Sequence, residues 1–263
     1  MIILLGLLSA ETSAADKKND APQAIEIEAD NGIEWVRDEQ MYIAKGNARA
    51  ARGDAQIFAD QLTAYYRSGV KGEKSDKNSD TKSDKGGQDI FRVDADGNVR
   101  VVSKTNKAFG DKAVYHVDQA VFVLVGESLR LVTNRAKITA RDSLEYWETR
   151  QLAVARGRAI AISAGSRITA DILTAHINEA GQGEIKQIDA FGNVVVSTRN
   201  VIARGAEGVY NPVSSVATLC GGVKITRGGD QLNGECAEVN LKSGKSRLIG
   251  GGSRVKGLLT RKK

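Results

Sequence analysis

A chain of 263 residues with 5% aromatics, 28 glycines and two prolines argues against a compact sandwich with a bulky core. It suits one elongated, lightly filled all-β domain. The net charge of +6 favours an anionic partner, but no stretch of the sequence interleaves basic residues with aromatics, which argues against nucleic acid.

The first residues run apolar to Leu8 and then through small residues to Ala15. Residues 1–15 therefore read as a secretory signal, cleaved after Ala15, and 16–24 as a polar lead-in. The apolar run is too short to span a bilayer, and no later segment is long and apolar enough to do so.

From residue 25 one unit is written repeatedly. A glycine opens an alternating run at Gly46, Gly97, Gly126, Gly157, Gly192 and Gly221. A second signature, an apolar residue, a spacer and a small residue often followed by an acid, recurs at Ile27-x-Ala29-Asp30, Ile57-x-Ala59-Asp60, Ala108-x-Gly110-Asp111, Ile138-x-Ala140, Ile168-x-Ala170-Asp171, Ala203-x-Gly205 and Leu232-x-Gly234. The period is about 30 residues, the mark of a repeat fold. It is interrupted by insertions after Tyr66 and after Ile177. The longer insertion, 67–89, is low in complexity and balanced in charge, and is expected to be disordered.

Alternation such as Val99-Arg100-Val101 and Arg167-Ile168-Thr169-Ala170 is the period of a half-buried strand. Turn residues at Arg52-Gly53-Asp54, Ser103 to Asn106 and Ser163 to Ser166 close each unit as a hairpin of strands about a dozen residues long. The two signatures fall mid-strand and opposite one another. Small residues there predict bulges at which every strand bends from one sheet into a second, facing sheet, giving a V or flattened roll.

No residue set points to catalysis or to a cofactor. His116 and His176 occupy a slot filled elsewhere by Trp35, Tyr65, Tyr146, Asn211 and Asn240, a structural position near a turn. Asp94-Ala95-Asp96-Gly97-Asn98 resembles the start of a calcium loop, but Thr105 stands where the closing glutamate belongs, so no metal site is assigned. Cys220 and Cys236 flank the turn at 228 symmetrically, which suits a cross-strand disulfide; a one-residue slip would leave two buried thiols instead.

The inner face of the V is assigned to Ile57, Val99, Val101, Leu129, Leu131, Ile138, Ile168, Val194, Val196 and Val223. In Ala159-Ile160-Ala161-Ile162 both faces are apolar and the parity is open. Such a face either closes as a core or stays open as a groove for acyl chains. In the second case Arg49, Arg100, Lys104, Arg130, Arg167 and Lys224 are expected at its rim, toward anionic head groups. A meander that does not close also leaves two strand edges, near Pro22 and over Ser253 to Leu259, open to strand addition. Head-to-tail addition of copies would follow.

The series GNARAARGDAQIFADQLTAYY, GDKAVYHVDQAVFVLVG and SLRLVTNRAKITARDSLEYW resembles the OstA-like repeat of the LptA family of periplasmic lipopolysaccharide-transport proteins. The likeness spans about 25–249; the chain departs from the pattern by its insertion and by length that adds a unit. The resemblance implies an OstA-like open β-jellyroll over 25–259, followed by a basic tail at 260–263. It also implies a periplasmic conduit that carries lipopolysaccharide, through its lipid A, from the LptB₂FG–LptC complex toward LptD/LptE. LptC-like and LptD-like proteins would be the partners at the strand edges, the chain would be a head-to-tail homo-oligomer, and it would not be an enzyme. The other readings are a polymerising structural or adhesive β-repeat without lipid, and a β-solenoid acting on polysaccharide, which would need acids clustered on one face.

Overall fold

The computed structural model describes residues 25–68, 88–178, 184–252 and 254–259. The expected signal, lead-in and basic tail lie outside the described residues. So does most of the insertion expected at 67–89, but strand pairing continues to Arg67↔Asp89 and Ser68↔Gln88 at its two ends.

Among the described residues the chain is a meander of antiparallel strands. In order these are β1 (Glu26–Glu28), β2 (Ile33–Val36), β3 (Met41–Arg52), β4 (Ala55–Ser68), β5 (Gln88–Val102) and β6 (Asn106–His116). Next come β7 (Val121–Val125), β8 (Arg130–Thr133), β9 (Lys137–Thr139), β10 (Ser143–Trp147), β11 (Leu152–Ser163) and β12 (Ser166–Ile177). The series ends with β13 (Ile185–Ser197), β14 (Ile202–Asn211), β15 (Val216–Arg227), β16 (Asp230–Asn240), β17 (Ser246–Ile249) and β18 (Lys256–Leu258). The short strands are halves of longer ones: β1 and β2 both pair with β3, β7 and β8 with β6, β9 and β10 with β11, and β17 and β18 with β16.

Every long strand bends at one level, and the glycine signature is the cause. Opposite Asp60, β3 inserts two residues, Gly46 and Asn47, so the register jumps between Lys45 and Ala48. Equivalent jumps occur at Gly97-Asn98, Gly157-Arg158, Gly192-Asn193 and Gly221-Gly222. Two residues facing one make a bulge, which bends the strand and increases its twist. Both residues of each bulge have positive φ, for example 79° at Gly97 and 48° at Asn98. The acid of the second signature fastens the bulge on the neighbouring strand. Asn47 donates to Asp30 at 2.7 Å, Asn98 to Asp60 at 2.8 Å and Asn193 to Asp171 at 2.8 Å. Where the unit is one residue longer, after Gly126, the strand breaks into β7 and β8, and the Glu127 amide donates to Asp111.

This seam divides the sheet into two leaves. The first holds β2, β7, β10, β17 and the half of each long strand on their side; the second holds β1, β8, β9, β18 and the other halves. One apolar cluster draws on both, including Leu62, Leu124 and Leu219 from the first and Val99, Val194 and Val223 from the second. The leaves therefore face one another.

A longer repeat lies over the 30-residue one. Trp35, Gly46 and Asp60 recur at a constant spacing as Tyr146, Gly157 and Asp171; beyond the insertions, Gly97 and Gly126 recur as Gly192 and Gly221. The pairing pattern of β1–β8 is thus repeated from β9 to β15, and β16 starts it a third time. The second copy joins the first through β8–β9 and β7–β10 pairing.

A Cβ on Gly97 would overlap the Asp60 carboxylate, and the backbone there is left-handed. Gly165 has a similar φ of 76° but faces open space. We expect Gly97→Ala to cost about 2–3 kcal/mol and Gly165→Ala about 1 kcal/mol, measured by urea denaturation; equal losses would refute the seam's role.

Candidate functional site

The alternation that makes the strands also paves their inner faces. In the second leaf the row beside the seam holds Ala48–Ala59, Val99–Gly110, Ala159–Ala170, Val194–Gly205 and Val223–Gly234 as direct pairs. The next row, toward the open mouth of the V, crosses the whole sheet. It begins Ile27–Ala50–Ile57–Val101–Ala108–Leu131 and continues Ile138–Ala161–Ile168–Val196–Ala203–Ile225–Leu232.

All ten residues assigned to the inner face are brought together by this leaf. Val99, Leu129, Ile168, Val194, Val196 and Val223 are buried in the apolar cluster, and Ile57, Val101, Leu131 and Ile138 pack against it half-buried. The parity left open at 159–162 is resolved: Ala159 and Ala161 point inward, while Ile160 and Ile162 point out, Ile162 being 44% exposed.

The facing leaf was not legible in the assigned set. Its seam row is built of alanine and leucine alone over Ala44–Leu62–Ala95–Ala113–Leu124–Leu144–Ala155–Leu173–Ala190. Its mouth row carries the aromatics Trp35, Tyr42, Tyr115, Phe122, Tyr146 and Tyr210. The near-turn slot had marked two of these, Trp35 and Tyr146, as structural only. At the first edge Trp35 donates to the Tyr66 hydroxyl at 2.7 Å and stacks on Tyr42. Ile33 and Trp35, both inward-facing, stay 49% exposed there.

Along most of the roll the leaves meet. The space among Ile168, Ile188, Ala190, Val194 and Leu219 is about 10 Å³. The mouth is bridged by arginines of the second leaf. Arg52 donates to the Tyr115 hydroxyl at 3.0 Å, Arg135 stands 4.0 Å from Glu184, and Arg227 reaches the Gly244 carbonyl at 3.5 Å. Burial pushes the Tyr115 phenol up, and Glu148 adds to this against the opposing effect of Arg52.

The expected rim of cations is corrected by parity. Arg49, Arg100, Arg130, Arg167 and Lys224 alternate with inward residues and so point away from the groove. Arg100 lies over the Phe58 ring at 4.3 Å and Arg130 over Phe109 at 4.0 Å. Lys104 sits at a mouth turn, paired with Asp54 at 2.9 Å.

The remaining polar residues hold structure. The Asn211 side chain accepts from the Val213 and Ser214 amides, and Asn240 from Lys242 and Ser243, both closing turns. His176 meets Asp189 at 2.6 Å on the outer face. Asp94 to Asn98 lies within β5 and supplies a seam bulge. Cys220 and Cys236 are direct partners joined by a disulfide, their Cα atoms 4.1 Å apart.

Among protein families, the one described as LptA/(LptD N-terminal domain) LPS transport protein matches twice, over residues 26–142 and 137–245. The two matches start where the two copies of the longer repeat start, at β1 and at β9, and the second runs on through β16. Among solved structures, LptH, the LptA-homologous periplasmic component of the lipopolysaccharide transport device of Pseudomonas aeruginosa, aligns at 16% identity and a TM-score of 0.43. The alignment covers 48% of this chain and 95% of that one. No curated protein matches the chain. Among the described residues, no helix is long and apolar enough to cross a membrane.

If the Arg52–Tyr115 bond holds the mouth, Arg52→Ala should speed amide exchange at 48–52 and 112–116 and leave 202–211 unchanged. Hydrogen–deuterium exchange with mass spectrometry reads this directly; unchanged rates at all three would refute it.

Proposed function

We propose that this chain, which belongs to the LptA/LptD N-terminal family of lipopolysaccharide-transport proteins, is a passive periplasmic conduit for the lipid A part of lipopolysaccharide. The observation that carries this reading is the continuity of the inner rows. The second leaf's mouth row runs from Ile27 to Gly257 with no polar side chain, without a break at the joint between the two copies of the repeat. Burying an acyl chain stabilises it by about 0.8 kcal/mol per CH₂. An uninterrupted apolar track lets a chain slide without crossing a polar barrier.

Loading requires the leaves to part, and the mouth is where they are held by few contacts. The seam, by contrast, is fastened strand by strand and acts as the hinge. We read the chain as a carrier and not as an enzyme. Its partners in this reading are LptC-like and LptD-like proteins, or further copies of itself. They would add strands at the edges formed by β1/β2 and β17/β18, where unpaired backbone groups invite such addition.

Ile138 is the position at which to test the track. It is half-buried, whereas Ile168 is only 6% exposed, and an aspartate there would bury an unpaired carboxylate and disrupt folding. Ile138→Asp is expected to reduce photo-crosslinking to lipopolysaccharide several-fold with an unchanged circular dichroism spectrum. Wild-type crosslinking would exclude the groove.

Ending the chain before Arg254 removes β18 and should abolish end-to-end association while the cooperative melt is retained. An unchanged mass by light scattering would exclude strand addition at that edge.

A further inference from the structure

The two outer faces of the roll carry charge in opposite ways. On the first leaf, acids and bases neutralise each other locally: Arg92 with Asp94 at 2.6 Å, Lys112 with Asp96 at 2.8 Å and Arg156 with Glu145 at 2.6 Å. On the second leaf the outward rows carry acids only at the first edge, Glu26 and Glu28. Strand register assembles an ordered pattern from residues far apart in sequence. The row beside the seam reads Arg49–Phe58–Arg100–Phe109–Arg130, a cation on every second strand, and later adds Arg204, Lys224 and Lys256. The row nearer the mouth reads Val102–Lys107–Val132–Lys137–Ile162–Arg167.

Of these nine cations, Arg49 pairs with Glu28; the other eight are exposed and form no ion pair with a described residue. Where cations alternate with uncharged residues, neighbouring charges of a row lie about 9–10 Å apart, two strand spacings; Arg204 and Lys224 are direct partners. In the row nearer the mouth the residues between them are partly exposed aliphatics, among them Val132 and Ile162, and Ile202 lies further along the same row. At the last edge Leu258 is 68% exposed.

We propose that this outer face docks the protein on the anionic surface of a phospholipid bilayer. A small phosphate ligand needs cations that converge on a point, and these diverge over a face more than ten strands wide. A nucleic acid strand needs free rings for its bases, and Phe58 and Phe109 are already covered by Arg100 and Arg130. A lipid surface suits what remains. Dispersed cations are drawn to anionic head groups, and aliphatic side chains and lysine stems enter the boundary beneath them. The acyl track opens on the other side of the same leaf. Docking by this face would therefore leave the track free.

The test uses the full chain and vesicles of phosphatidylcholine with or without phosphatidylglycerol, followed by co-sedimentation. The triple variant Lys107→Glu, Lys137→Glu, Lys224→Glu reverses three unpaired cations of the face. Lys186→Glu, Lys245→Glu, Arg247→Glu makes the same change in net charge on the first leaf. We expect binding to anionic vesicles that weakens with salt, a loss of about tenfold or more in the first triple variant, and little loss in the second. Circular dichroism checks that both fold. No binding by the wild type, equal losses in the two triples, or binding to a duplex oligonucleotide but not to vesicles would each overturn the proposal. The vesicles contain no lipopolysaccharide, so neither result bears on the cargo reading.

Discussion

The fold rests on a single constraint, that every second long strand place two left-handed residues opposite one residue of its neighbour at the same level. A bulge in one strand only kinks that strand. Bulges aligned across a sheet turn it as a unit, because paired strands bend together or lose their hydrogen bonds. The aspartates keep the bulges in line. Asp60 is the residue that the Gly46-Asn47 bulge opposes on one side, and its carboxylate accepts from Asn98 on the other, so one residue links the bends of three strands. Where the acid is missing, at Ala206, the opposed bulge residues are Gly192 and Asn193, and the next strand places Gly221 against the Ala206 methyl. There steric fit takes the place of the hydrogen bond.

The small residues of the inner rows follow from that bend. Two leaves closing at a corner have least room beside it, and the second leaf's seam row is accordingly alanine, glycine and valine. Room grows toward the mouth, where the first leaf places Tyr42, Tyr115, Phe122 and Tyr210. On the proposed reading, the taper would let the leaves part only a little at the mouth to admit an acyl chain while the seam stays packed. A core of large side chains would not part in this way, since each would leave a deep cavity behind it.

How much of this was legible depended on whether the signal ran along the chain or across it. The repeat, the hairpins, the corner and the second leaf's inner face all run along it. Alternation next to a glycine motif was enough to place Val99, Val194 and Val223. The first leaf was missed because its inward residues are often alanines, as at Ala95 between Asp94 and Asp96 and at Ala113, and do not read as a stripe. The cationic face was misread for a geometric reason. Arg100 and Arg130 were taken for a groove rim because they sit beside groove residues, but in a strand the adjacent residue points to the opposite face. Their alternation with Phe58 and Phe109 exists only across strands and has no signature in any single segment. The doubling was hidden by unequal insertions, which shift the long-range spacing while leaving the short period visible.

The doubling bears on how the edges would be used, because the chain contains its own instance of a filled edge. The strand formed by β9 and β10 begins the second copy as β1 and β2 begin the first. In the middle of the sheet it is met by β7 and β8, and at the start nothing described meets its counterpart. The difference is written on equivalent side chains. Leu144, covered by the preceding copy, is 8% exposed, whereas Ile33 in the same position is 49% exposed. A strand laid against β2 in the way β7 lies against β10 would bury Ile33 and extend both inner rows in register. The last edge differs. After β15 completes the second copy, β16 and the split strand β17/β18 begin a third that is not finished among the described residues, and the inward side of that edge ends on half-exposed Val255. Each end thus presents part of a joint whose complete form lies at the centre of the same sheet. This is why strand addition with unbroken apolar rows is the assembly that the internal joint favours.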